Sequence, residues 1–105
     1  MKFLAFLAIA LLPFGAAAQT ASELYGTTSA TANTWTAVLP ASSSRVGGYI
    51  QDAGTGSIDI GVGPTTPTNP VATIQPGGSY PFFSSKQIWL RSPVASVTYQ
   101  GQYAQ

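Results

Sequence analysis

The chain contains neither histidine nor cysteine, which removes the common general base, the thiol nucleophile and the usual transition-metal ligands together. Three acids remain, Glu23, Asp52 and Asp59, and of these Asp52 and Asp59 flank one turn and are the pair to weigh for catalysis. A glycosidase needs two carboxyl groups facing each other across a sugar ring, roughly 5 to 9.5 Å apart. Read as strands on either side of a turn, positions 52 and 59 fall on opposite parities, so no convergence is expected and the chain reads as a non-enzyme. The stretch from Asp52 to Asp59 also lacks the alternating acidic ligands of an EF-hand loop, and it reads as a turn with solvated acids and no metal. The serines have no base to activate them, and no cofactor is implied.

Aromatic residues carry the stronger signal. Tyr49 and Trp89 lie on the polar parity of two separate alternating stretches, near Gln51, Gln87 and Arg91. Together they would make either a flat stacking platform for a sugar, with the amides and the guanidinium as hydrogen-bonding groups, or a subunit interface, where Tyr, Trp and Arg are enriched. The interface is the preferred reading.

The elements that must position them are strands. In Ser57 to Val62, Ile58, Ile60 and Val62 alternate with Ser57, Asp59 and Gly61, and Val46, Gly48 and Ile50 alternate with Arg45, Gly47, Tyr49 and Gln51. Glycine-rich Ala53 to Gly56 joins the two halves, so the pattern predicts a central hairpin. Further strands are expected at Trp35 to Leu39, Val71 to Gln75, Gln87 to Arg91 and Ser96 to Tyr103. Gln75-Pro76-Gly77-Gly78 has the residues of a type II turn. Tyr80, Phe82 and Phe83, with Pro81 between them, read as an irregular plug. About six strands with Pro and Gly punctuation predict an all-β domain, a small antiparallel sandwich or partly open barrel over residues 34–105. Its expected core is Trp35, Ala37, Leu39, Val46, Ile50, Ile58, Ile60, Val62, Ile74, Ile88, Leu90, Val97 and Tyr99.

Residues 1–18 read as a signal peptide: Lys2, an apolar run from Phe3 to Leu12, and the small residues Ala16 to Ala18 before a cleavage point. Export to the periplasm or the extracellular space follows, with no membrane attachment after cleavage. Residues 19–33 read as an extended arm. Beyond the signal, Arg45, Lys86 and Arg91 balance Glu23, Asp52 and Asp59, so there is no electrostatic footprint for nucleic acid. Only 7% of the residues are charged, against roughly 25% in an ordinary domain. Such a surface resists self-association weakly, and the expected partners are further copies of the chain or another protein surface.

Val38-Leu39-Pro40, Arg45-x-Gly47-x-x-Ile50-Gln51-Asp52, Ile58-x-Ile60-Gly61, Ile74-x-Pro76-Gly77-x-x-Tyr80 and Ile88-Trp89-x-x-Ser92-Pro93-Val94 together resemble the small all-β virion proteins of tailed bacteriophages, of head-decoration or fibre-associated type. The resemblance spans roughly residues 35–103 and implies a structural role by self-association or by docking on a protein shell. The export segment supports the alternative, a secreted module that binds glycans or another surface. Mass spectrometry of the exported product should find a chain beginning at Gln19; a product that keeps Lys2 would contradict the signal-peptide reading.

Overall fold

The computed structural model describes residues 21–104. The stretch read as a signal peptide, which the same reading expects to be helical, and the first residues of the arm lie outside the described residues. The described chain contains eight strands: β1 (Ala21–Thr27), β2 (Thr36–Leu39), β3 (Gly47–Asp52), β4 (Ile58–Val62), β5 (Ala72–Ile74), β6 (Ser79–Phe82), β7 (Ile88–Arg91) and β8 (Thr98–Ala104). They form two antiparallel four-stranded sheets, ordered β1-β8-β3-β6 and β2-β7-β4-β5. The pairing is nested, β1 with β8, β2 with β7, β3 with β6 and β4 with β5. A chain paired this way is one long hairpin rolled so that successive pairs alternate between two sheets, which is the strand order of a jelly roll.

Two strands were not expected from the pattern. Ala21–Thr27, read as part of an arm, is an edge strand in register with β8 from Ala21↔Ala104 to Thr27↔Thr98. Leu24 inserts into the core, and just beyond the strand the buried Thr28 accepts the Val97 amide on its hydroxyl at 2.9 Å. The domain therefore begins by Ala21 and not at residue 34. The aromatic plug is strand β6, which tolerates Pro81 because it lies at a sheet edge. The Gln75–Gly78 turn forms as expected, with Gly77 at φ +85° and the Gly78 amide donating to the Gln75 carbonyl at 2.8 Å.

The central hairpin does not form. β3 pairs with β6 and β8, whereas β4 pairs with β5 and β7, so Ala53 to Ser57 is an arch from one sheet to the other. Alternation alone cannot distinguish the two cases, because both strands present an apolar face to the same interior. The arch is tied down by the Ala53 amide, which donates to the Thr98 carbonyl at 3.0 Å.

Leu24, Ile50, Phe82 and Tyr99 from one sheet meet Leu39, Ile58, Ile60, Ile74, Ile88 and Leu90 from the other in a single buried cluster, closed at one end by Val97. A sandwich-like body results. Ile50, Ile58, Ile60, Ile88 and Leu90 are fully enclosed, and each contributes about 1.5–3 kcal/mol by burial. Val46 and Arg45 exchange the roles expected of them: Val46 is 54% exposed and Arg45 only 4%. The cause is Gly47, whose φ of +148° breaks the alternation just before Ile50. Ala37 is exposed for a related reason, a register shift in β2 between Ala37 and Leu39.

Arg45 becomes a clamp at one end of the body. Its guanidinium donates to the carbonyls of Ser84 (3.0 Å), Pro40 (2.8 Å) and Lys86, and it lies 5.9 Å from the centre of the Phe82 ring. Three chain segments thus hang from one side chain, and no acid pairs with it among the described residues. Hydrogen bonds to a charged donor are worth about 1.5–3 kcal/mol each, and removing the donor strands buried carbonyls. Arg45→Met should therefore lower the unfolding free energy by about 3 kcal/mol in urea titrations. An unchanged midpoint would show that the clamp holds nothing.

Candidate functional site

Alternation sends Tyr49 and Gln51 of β3 to the outer face of the first sheet, because Ile50 and Asp52 point inward. The same rule on β8 places Gln100 and Gln102 outward, alternating with buried Tyr99 and Gly101, and on β1 it places Glu23 and Tyr25 outward on either side of Leu24. The registers then align these groups. Tyr25 sits across from Gln100 and Glu23 from Gln102, while Gln102 faces Tyr49 and Gln100 faces Gln51 on the other side. Neighbouring strands lie about 4.8 Å apart, so the two tyrosines stand on either side of β8 as low walls with amides between them.

The result is a shallow trough of about 270 Å³ lined by Glu23, Tyr25, Tyr49, Gln100 and Gln102, with Leu24 and Gly101 beneath. Tyr25 is 76% and Tyr49 40% exposed. Gln100 Nε2 donates to Gln51 Oε1 at 3.1 Å, which sets the orientation of both amides. A smaller cleft lies alongside, over Gly47, Gly48 and Tyr103, and shares Tyr49 and Gln102. Glu23 is the one charged group lining the trough.

Trp89, Arg91 and Gln87 are elsewhere. Trp89 and Arg91 face outward from β7, in the other sheet, so Tyr49 and Trp89 stand on opposite outer faces and form no common platform. Each of the three also has an internal partner. Arg91 donates through Nε (3.1 Å) and Nη2 (2.9 Å) to Asp59 Oδ2, and Thr73 donates to Asp59 Oδ1 at 2.7 Å. The same guanidinium lies 4.4 Å over the Trp35 ring. Trp89 Nε1 donates to the Gly63 carbonyl, and the Gly63 amide donates to the Gln87 carbonyl, both at 2.9 Å. The proline-rich loop 63–70 thus folds back on this face, and a side chain at Gly61 would collide with Pro67. These groups build the second sheet's cover.

The two acids do not converge either. Asp59 is held by Arg91 on the outer face of one sheet, and Asp52 points into the interior from the other. Asp52, expected at a solvated tip, is 1% exposed. Its Oδ1 accepts the Gly54 amide at 3.0 Å, while Oδ2 has no partner. Its main chain joins the Gln75–Gly78 turn, donating to Gly78 and accepting from Gly77, both at 2.9 Å. Among the described residues no cluster of three or more acidic, histidine or cysteine side chains is arranged to hold a metal ion.

Sequence reasoning missed Tyr25, Gln100 and Gln102. Gln100 and Gln102 were on the polar parity of an expected strand, but only the β8 register with its two neighbours shows which residues they face. Comparison with protein-family models, with curated proteins and with solved structures gave no match.

Burial pushes the Asp52 carboxyl up, against a smaller downward pull from the Gly54 amide. A folded value above the unfolded one means that the fold favours the protonated acid. Its contribution to stability is complete below the ordinary carboxyl range of about pH 4 and is lost as pH rises through the folded value. Asp52→Asn keeps an oxygen for Gly54 and removes the buried charge. Thermal melts should show a flatter pH profile above about pH 4 and a higher melting temperature at neutral pH than the parent; a lower one would contradict this assignment.

Proposed function

We propose that this chain is a non-enzymatic structural protein of virion type, which acts by self-association or by docking on a protein shell. The nested jelly-roll order supports this reading, since viral capsid domains use the same plan. Lectins and cupins use it as well, so fold alone does not choose.

The observation that carries the proposal is the contrast among the four sheet edges. β2 is short and contains a register shift, β5 has three residues, and β6 contains Pro81. Each is blunted in a manner that native proteins use against unwanted pairing. β1 runs for seven residues in unbroken register with β8, with no proline and with Glu23 as its sole charge. Its outer edge offers a row of main-chain donors and acceptors with no strand beyond it among the described residues. Antiparallel pairing of two copies about Leu24 would set Glu23 opposite the second copy's Tyr25, so like charges do not meet, and would join two sheets into one. Residues 1–18, read as an export segment, favour instead the second reading, a secreted module that binds glycans or another surface.

Sedimentation velocity on residues 19–105, from low micromolar to millimolar concentration, should show a dimer or larger species. Ser22→Lys combined with Thr27→Lys puts a lysine on each face of that edge, the device native edge strands use against pairing, and should return the protein to a folded monomer. A parent that stays monomeric at millimolar concentration, or assembly unaffected by the paired lysines, would overturn the proposal.

A further inference from the structure

We infer that the trough between Tyr25 and Tyr49 is a binding site for a neutral carbohydrate chain. Its lining alternates aromatic rings with amides across three strands: Tyr25 on β1, Gln100 and Gln102 on β8, and Tyr49 on β3. Sugars present this alternation in complement, with apolar C–H faces that stack on aromatic rings and hydroxyl groups that both donate and accept hydrogen bonds. The primary amides do the same. With the Gln51–Gln100 hydrogen bond made, the Gln100 carbonyl oxygen and the Gln51 amino group have no partner among the described residues, and Gln102 has none for its side chain.

Electrostatics choose the class of ligand. The trough has no cationic side chain, so phosphate, sulfate and uronic acid groups have nothing to pair with, and the Glu23 carboxylate repels them. Glu23 accepts hydrogen bonds from hydroxyls instead. A purely apolar occupant fares no better, because it would bury the glutamine amides without partners. The trough is also open, with a tyrosine wall on either side of β8, which suits a segment of polymer more than a small molecule that must be enclosed. Both tyrosines belong to one sheet and are set by strand register, so the spacing of the two walls is fixed before any ligand arrives.

This site uses side chains on the face of the sheet, whereas edge pairing uses the β1 main chain. The test is calorimetric titration of residues 19–105 with hexasaccharides of glucose, mannose and N-acetylglucosamine in several linkages, and with one uronic acid oligomer. At least one neutral hexasaccharide should bind, and Tyr25→Ala and Tyr49→Ala should each weaken it about tenfold. Phe83→Ala, which removes an exposed ring outside the trough, should leave binding unchanged. Near-ultraviolet circular dichroism confirms that each variant is folded, and Tyr25→Phe, which keeps the stacking face, should retain most of the affinity. Failure of every neutral hexasaccharide to bind, binding of the uronic acid oligomer alone, or binding that survives loss of both tyrosines would overturn the inference. The edge variant Ser22→Lys/Thr27→Lys should still bind, which separates failure of this site from failure of self-association.

Discussion

A single apolar layer between the two sheets is the interaction on which everything else depends. The chain has no cysteine to staple it, and one ion pair, Arg91 with Asp59, is present among the described residues. The isoleucines and leucines of both sheets must therefore supply most of the cohesion. That layer imposes period-2 alternation on the strands that line it, and alternation decides which residues are left facing outward. Tyr25, Tyr49, Gln100 and Gln102 are outward because Leu24, Ile50, Tyr99 and Gly101 are inward.

The two outer faces then receive opposite treatment. On one, the proline-rich loop, Trp35 and the Arg91–Asp59–Thr73 set cover the sheet with the chain's own groups. On the other, Gln100 and Gln102 of β8 stay exposed between the flanking tyrosines. The open face adjoins the unblunted edge, so both surfaces proposed for contact with other molecules belong to one sheet. Buried charge has a different distribution. Arg45 is satisfied by carbonyls at one end, and Asp52, half satisfied, anchors the arch and the Gln75–Gly78 turn. Both organise loops and neither belongs to the trough.

Much of this was legible in the residues themselves. The alternation of Ile58, Ile60, Ile88 and Leu90, the Gln75–Gly78 turn and the β8 pattern all lead to the observed strands, because each is a local consequence of strand or turn geometry. Partner choice was not legible: β3 and β4 carry the pattern of a hairpin, yet each finds neighbours far along the chain. β1 was hidden because Ser22, Gly26 and Thr27 have little apolar content, and its strand character comes from the β8 ladder. The Tyr49 and Trp89 pairing failed for the same reason. Parity shows that a residue points outward, but only topology shows from which sheet. Arg45 and Asp52 were misplaced because Gly47 shifts the parity of one and because the other sits where an arch, not an exposed hairpin tip, leaves the sheet.

Hydrogen exchange of the β1 main chain, followed as protein concentration rises, tests the central claim that this domain works by contact through its first sheet. If the claim holds, the β1 amides that do not face β8 become protected with increasing concentration, while those of β2 and β5 in the other sheet do not change. Protection of β1 that is independent of concentration, or a change confined to β2 and β5, would contradict it.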